Sequence, residues 1–496
     1  MSHRRVILLE KLELFKVFLV KTMSKKAKTP SFICKVPLQV SPSQEKKLHS
    51  KFEVARHFYN QCLSEAKKRL AFMQQSKQYQ TIHQFPYFNK EEKSKQFQQL
   101  LKTFSFQEFD LHSFSKHLRK SYLGTHIDSQ MGQKLASRAF SAVEKIWYRK
   151  AKRVRFKGKF QLSSIEGKSN QSGLKWRNNQ VLWQGLKLKS KIDPDDKLLK
   201  YSLQKRVKYV RLLRSQIRGK WRFYAQLVLA GSPYEKPKKQ GEVQLKGSVG
   251  LDLGPSSIAI VSEFSAELKI FCPELKLKAL EKRTLQRKLD RQRRANNPTN
   301  YEANGTIKKG KKTWKNSKHY LKTRTQISEI ERKLASQRKT SHGTLVNRIL
   351  KMGRGFHFES LSYKGWQKGL FGKSVSRNAP GYFINHLKRK AESASARVVE
   401  MNTRTTKLSQ TCHCGRIHKK KLSQRIHACN CGVSAQRDLY SAYLARFVDE
   451  ENVFHTDQAT SSWLSADSLL RTVWEKTYQT ASVSQVRNSF GNPFSW

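Results

Sequence analysis

The sequence predicts a multidomain α+β chain, and three observations carry that expectation. Apolar residues recur at helical spacing from about 45 to 150, side chains alternate from 155 to 230, and a strand, tight turn and second strand open a new segment after a Pro-, Gly- and charge-rich linker at 232–247. At 496 residues the chain is long enough for two to four domains with cores of their own.

Residues 1–30 form an N-terminal extension. Within it VILLEKLELFKVFLV at 6–20 reads as a short amphipathic helix, because Glu10, Lys11, Glu13 and Lys16 interrupt the apolar run and no small-residue cleavage site follows. Translation from Met23 is the alternative, since SKKAKTPSFICKVPLQV leads into a first strand at 31–40. A helical domain is expected over 45–150, opening with a helix that places Phe52, Ala55, Tyr59, Cys62, Leu63 and Ala66 on one face. Its end, at Trp147 and Tyr148, adjoins the basic run YRKAKRVRFKGKF. Residues 31–44 and 151–240 alternate as strands, with IRGK at 217–220 as a hairpin turn, and suit a small barrel around a nucleic-acid strand.

A further domain is expected over 245–448. GSVGLDLGPSSIAIVSEF reads as strand, turn, strand; two basic helices then flank the polar loop ANNPTNYEANGTIKKGKKTWKNSK and form an antiparallel hairpin. After Asp449 the composition changes: residues 449–496 hold Arg471, Lys476 and Arg487 against six acidic residues. They read as a C-terminal tail with one weak helix around WLSADSLLRTVWEKTYQ, away from nucleic acid.

Lys plus Arg total 99 against 36 Asp plus Glu, a formal net charge of +63. Such a field implies a polyanionic partner, and basic residues in nearly every segment up to Val448 favour nucleic acid over a membrane surface. No run of about 18 apolar residues exists, so nothing in the sequence spans a bilayer as a helix. The chain is expected in a prokaryotic cytoplasm, at the nucleoid, where its seven cysteines stay reduced.

Four of those cysteines form two clips. Cys412 and Cys414 are followed by Gly415, and Cys429 and Cys431 by Gly432, with fourteen residues between the pairs. Thiolates two residues apart on a tight turn can share a tetrahedral ion, and the glycine can take positive φ beside the sulfur, which suits zinc. His413, His418 and His427 are substitute ligands; Cys34, Cys62 and Cys272 have apolar neighbours and read as small core residues.

Carboxylates are scarce, so those at the ends of apolar runs stand out. In VGLDLG, alternation puts Gly250, Asp252 and Gly254 on one strand face. In RGFHFESLSYKGW, Glu359 closes an apolar strand where it opens into a Gly-rich loop. Asp438 sits in the first turn of a helix whose apolar face is Leu439, Ala442, Tyr443 and Phe447. Taken singly these are also a turn residue, a surface residue and a carboxylate favoured by a helix dipole. Taken together, three carboxylates from separate elements can hold two Mg²⁺ ions for phosphodiester hydrolysis, and magnesium prefers such oxygen ligands to thiolates.

The order GLDLG, FESLSYKGW, paired cysteine clips and AQRDLYSAYLA resembles the TnpB family of transposon-encoded RNA-guided DNA nucleases, relatives of the type V CRISPR effectors, over about 30–448. The resemblance implies a RuvC-like domain of the ribonuclease H fold, with Asp252, Glu359 and Asp438 as the Mg²⁺-binding catalytic acids. It also implies a structural zinc insert at 408–434 and a wedge-type barrel interrupted by the helical recognition domain. A guide RNA from the element's end would pair with target double-stranded DNA, and a partner transposase would be encoded nearby. Two departures are the short Cys-x-Cys clips and Ser360, where the family often has another acid.

Candidate nucleic-acid contacts are Arg287, Arg291, Arg293 and Arg294 on one basic helix, Lys308, Lys309, Lys311 and Lys312 around Trp314 in the following loop, and Arg437. Alternative classes fit less of the chain. A nuclease-independent RNA-guided regulator would be expected to lose acids that are all present here. A DNA-joining transposase needs a His-hydrophobe-His pair with a downstream Tyr, and a DNA-binding zinc finger explains only 411–432.

Overall fold

The computed structural model describes residues 30–84, 90–234, 246–421 and 423–480; the helix expected at 6–20 and the alternative start at Met23 lie outside them. The chain divides into two compact units, Met1–Lys236 and Pro237–Trp496, with the break inside the expected linker.

The first unit is built on a long helix, α1 (Pro42–Gln75), whose start is set by a capping box: Ser41 accepts from the Gln44 backbone while the Gln44 side chain accepts from Ser41 N. Its buried face runs Leu48, Phe52, Ala55, Phe58, Tyr59, Cys62, Leu63, Ala66, Leu70 and Met73. Helices α2 (Lys77–Gln84), α3 (Lys90–Thr103), α4 (Glu108–Leu118) and α5 (Ser129–Trp147) complete the helical part. Strand β1 (Ser31–Pro37) pairs antiparallel with β7 (Lys220–Ala230), which forms a hairpin with β6 (Val207–Ile217); β2 (Ser164–Glu166) lies on the far edge. Arg218 and Gly219, both at positive φ, make the hairpin turn expected at IRGK.

Strands β3 (Lys175–Arg177), β4 (Gln180–Trp183) and β5 (Leu186–Lys189) form a separate three-stranded sheet, whose backbone meets the first at the Leu38–Ser190 bridge and its flanking hydrogen bonds. Among the described residues there is therefore no closed barrel: β2 is three residues long and does not pair with β1. Residues 151–163, expected to open the strand region, contain no strand, and a short helix, α6 (Lys197–Leu203), interrupts it. Helices and sheets share one core, in which Val36, Phe52, Leu135, Trp183, Leu212 and Leu227 are all buried.

The second unit centres on a five-stranded sheet in the order β10 (Ala266–Ile270), β9 (Ser257–Val261), β8 (Ser248–Leu253), β11 (Gly355–Glu359), β12 (Arg397–Met401). The first three strands are an antiparallel meander; β11 is parallel to both β8 and β12. The return from β10 to β11 is made by the basic hairpin of α7 (Lys276–Ala295) and α8 (Lys318–Ile349). Helices α9 (Tyr363–Lys368), α10 (Gly372–Asn378) and α11 (Pro380–Ser393) connect β11 to β12. A one-turn helix, α12 (Thr403–Thr406), leads to the cysteine-bearing insert and its hairpin of β13 (Ile426–Ala428) and β14 (Ser434–Gln436). Helix α13 (Arg437–Ala445) follows without a linker and packs on β8 and β9.

The segment after Asp449 is not a tail up to residue 480. It forms α14 (Thr456–Ser461) and α15 (Trp463–Thr480), and Ala459, Ala466, Leu470 and Trp474 are buried in the same core as α13. Helix α15 is the one expected around WLSADSLLRTVWEKTYQ; what the polar composition hides is its packing, because only a narrow face of each helix is apolar.

Helix α13 can lie close on β8 because Gly250 has no side chain: a Cβ there would fall 1.8 Å from the Ala442 carbonyl oxygen. Gly250→Ala is expected to cost at least the roughly 1–3 kcal/mol typical of overpacking, measured as a lowered midpoint in denaturant unfolding.

Candidate active site and metal centre

Parallel pairing brings the first two acids together. Phe358 is in register with Leu251, so Glu359 at the end of β11 is level with Asp252 on β8, and neighbouring strands are about 4.8 Å apart. Both lie at the carboxyl ends of their strands, beside the point where the sheet changes from antiparallel to parallel. Such a crevice is where open α/β sheets place ligands.

Two periodicities bring in the third. Gly250 and Asp252 share a strand face, and Asp438 and Ala442, one turn apart, share a helix face. Contact of Gly250 with Ala442 therefore sets Asp252 facing Asp438, since two strand residues and four helix residues span similar lengths, about 6–7 Å. A small cleft lined by Leu251, Asp252, Glu359, Leu408, Ser409 and Ser441 opens there.

The electrostatics agree with this convergence. Burial, then the charges of Asp438 and Glu359, hold the Asp252 carboxyl well above the usual carboxylate range, with Arg437 opposing. Burial also raises Glu359. Burial followed by Glu400, Asp252 and Glu359 raises the Tyr363 phenol, whose buried hydroxyl has no partner among the described residues. Ser441, on the turn after Asp438, is 5% exposed, and its Oγ likewise lacks a partner while lining the cleft. Sequence reasoning missed Ser441 because a serine in an apolar helix carries no signal until its neighbours are known.

The four clip cysteines form the one close metal-ready set among the described residues, their sulfurs all within 4.8 Å of one another. Cys412 and Cys431 sulfurs are 3.5 Å apart and those of Cys414 and Cys429 3.7 Å. A tetrahedral zinc with bonds of about 2.3 Å needs sulfurs about 3.8 Å apart, so the set fits that ion. Each clip is a turn closed by its glycine: Gly415 N donates to Cys412 O and Gly432 N to Cys429 O, both at 3.0 Å, with φ of 82° and 92°. Burial pushes the Cys412 thiol up to about 12. Burial opposes ionisation at Cys429 as well, but hydrogen bonds, including those of Cys431 and His418, bring it down to about 6.

Of the three histidines offered as substitute ligands, His418 reaches a thiol, with Nε2 3.4 Å from Cys429 Sγ. His413 Nδ1 is 2.9 Å from the Tyr440 hydroxyl. His427 packs on the Tyr440 ring, with Lys420 against its Nδ1. Tyr440, two residues after Asp438, plugs α13 into the clip: its Oη is 3.3 Å from Cys412 Sγ and accepts from His413 N at 2.9 Å.

The basic candidates divide. Arg287, Arg291 and Arg294 are exposed on α7, with Arg294 paired to Asp290 at 3.0 Å. The Arg293 guanidinium covers the Trp314 ring at 3.7 Å. Lys308, Lys309 and Lys311 are exposed, and Lys312 Nζ donates to Lys309 O at 2.7 Å. Arg437 is different: its side chain is 13% exposed and donates to Gln424 O at 2.7 Å while lying 3.4 Å from Asp438. It ties the insert to the third acid.

Residues 381–444 match the family model described as Cas12f1-like, TNB domain. That segment is similar to a Cas12f1-like TNB domain. It runs from α11 through β12 and both clips to Leu444, one residue short of the end of α13, and includes Asp438. No curated protein matches the chain. Among solved structures, the chain is similar at 12% identity to one in a Cas12f1–sgRNA–target DNA complex, covering 84% of this chain and 98% of that one with a TM-score of 0.42. For a CRISPR-Cas12f ternary complex the values are 11%, 92%, 97% and 0.28. For the mini RNA-guided endonuclease Cas-phi3 they are 12%, 91%, 99% and 0.35.

Burying mutually repelling carboxylates costs stability when no cation is bound. In chelator, Asp252→Asn is expected to stabilise the chain at neutral pH, since burial and the charges of Asp438 and Glu359 penalise the ionised carboxylate in the folded state alone. Because the folded-state pKa is raised, the gain is absent below the usual carboxylate range and grows as pH rises above it. Denaturant melts of both proteins across pH measure it.

Proposed function

We propose that this chain is an RNA-guided, Mg²⁺-dependent DNA endonuclease whose second unit is a RuvC-like nuclease domain of the ribonuclease H fold. The observation that carries the reading is the convergence of Asp252, Glu359 and Asp438, from two parallel strand ends and a helix start, on one buried crevice. The net charge of +63 supplies the field a polyanionic substrate requires. The TNB match and the RNA- and DNA-bound state of similar chains support a guide RNA and a DNA target as partners.

The three acids fit a divalent cation by chemistry: all their donors are oxygens, and burial and mutual repulsion make each charge costly until a cation offsets it. Two Mg²⁺ ions held there would activate water and stabilise the leaving oxygen. The chain's own residues do the rest. Gly250 sets the approach of α13, Arg437 holds Asp438 from the insert side, and Gln436 Oε1 caps the helix start by accepting from Leu439 N at 2.7 Å. In this reading zinc is structural, and the clip fixes where α13 begins.

Asp252→Ala is expected to reduce cleavage of a guide-matched duplex to background while co-purifying RNA stays bound, measured by gel cleavage assay and RNA sequencing; a cleaving variant refutes the assignment. Cys431→Ser should lower the zinc content from about one ion per chain to none, and should weaken cleavage in excess Mg²⁺. Elemental analysis of the purified protein reads the first effect, and wild-type chain free of zinc would sink the structural role.

A further inference from the structure

We infer that residues 151–162 of the first unit are a preformed docking strip for a single-stranded nucleic acid, with Phe156 as its stacking platform. The inference rests on the reading that this chain binds a guide RNA, and deepens it. None of its residues is among the candidate contacts named from the sequence.

The segment has neither helix nor strand, yet α1 holds it in place. Asn60 grips Lys157 at both ends, its Nδ2 donating to Lys157 O and its Oδ1 accepting from Lys157 N, each at 2.9 Å. Arg56 donates to the same carbonyl at 3.0 Å, and Glu53 accepts from Phe160 N at 3.1 Å. Glu53 is itself anchored by the buried Arg214 at 2.9 Å and by Arg56 at 2.7 Å. Phe160 is kept at φ 63°, a conformation a non-glycine residue adopts only where its surroundings enforce it. Three polar side chains of the principal helix are thus committed to fixing an irregular, solvent-facing backbone.

That backbone displays a specific surface. Lys152, Arg153, Arg155 and Lys159 are exposed, and Phe156 and Phe160 are 48% and 43% exposed; Phe72, Phe109 and Tyr122 of the same unit are more exposed, but they lie on or beside helices and not on this fixed basic stretch of backbone. Phe160 leans on Trp221 and His49, with ring centroids 5.6 and 5.8 Å away, and is partly a packing residue. Phe156 has the Lys67 ammonium 4.9 Å from its ring centroid, and about half of its surface faces water. Cations that follow a phosphate backbone beside an open aromatic face are the elements of single-strand recognition, because a base must be free of its duplex to stack. A backbone already fixed spends little ordering entropy on binding.

The test uses the full chain in chelator, so that cleavage does not enter. The probes are a labelled oligouridylate, the matching oligothymidylate and a blunt duplex, titrated at several salt concentrations. Phe156→Ala should weaken single-strand binding about five- to a hundredfold, with the salt slope, duplex affinity and thermal midpoint unchanged, and Phe156→Tyr should restore it. Arg153→Gln with Arg155→Gln should instead lower the salt slope by roughly one to two. Whichever single strand loses more affinity identifies the physiological one as RNA or DNA. Unchanged single-strand affinity for Phe156→Ala, or an equal loss on duplex, overturns the strip. A wild-type chain that binds these strands by way of Phe156 but never cuts a guided target overturns the nuclease reading and leaves the strip standing.

Discussion

The second unit depends on one close approach, that of helix α13 to strand β8 at Gly250. Any side chain at that position would meet the Ala442 carbonyl, its Cβ only 1.8 Å from the oxygen, and push the helix off the strand. The strand repeat of two and the helix repeat of 3.6 then do the positioning, since residues two along the strand and one turn back along the helix must face each other. The acids are thus brought together by main-chain packing, and not by any attraction between them. Their repulsion is a standing cost, and the surrounding apolar layers of Val249, Leu251, Phe356 and Phe358 offset it.

Helix α13 is also held from its other side. The insert hairpin β13–β14 runs into it without a spacer, Arg437 N donates to Arg425 O at 2.8 Å, and Tyr440 reaches between Cys412 and His413. A metal on the four sulfurs would therefore fix a turn that is hydrogen-bonded to the helix carrying Asp438. The pull of coordination on thiol protons works in the same direction: Cys412, the thiol burial makes hardest to ionise, is the one in contact with Tyr440. Metal binding and helix placement are then one equilibrium.

How much of this was legible depended on whether the signal was local. The acids stand out locally because Asp252 and Glu359 lie late in apolar strands and Asp438 opens an apolar helix in a chain poor in carboxylates, and the clips because spacing and glycines are properties of a few adjacent residues. The break near residue 236 follows from linker composition. The irregular course of 151–163 was not legible, since apolar and basic residues alternate there as they would in a strand, while the backbone is held by Glu53, Arg56 and Asn60, about 100 residues earlier. The bonds of Arg437 to the carbonyls of Lys421 and Gln424 were not legible for a related reason, since their acceptors are main-chain groups 16 and 13 residues earlier. Sheet closure was overestimated because alternation predicts strands but says nothing of which edges meet.

The C-terminal helices show the same limit and also explain their own composition. Trp463 lies 5.3 Å from His413, 5.1 Å from Tyr440 and 5.3 Å from Tyr443, ring centroid to centroid, and Thr460 donates to His413 O at 3.3 Å. Tyr443 in turn donates to Ala459 O. Helices α14 and α15 thereby close the core on the face of α13 that β8 does not cover, so the helix bearing Asp438 is clamped by sheet, insert and C-terminal pair together. A segment with that task needs a few large apolar side chains facing inward and has no use for the cations that fill the rest of the chain. Its acidic outer surface is what remains when a basic protein assigns one stretch to packing, where cations have no use.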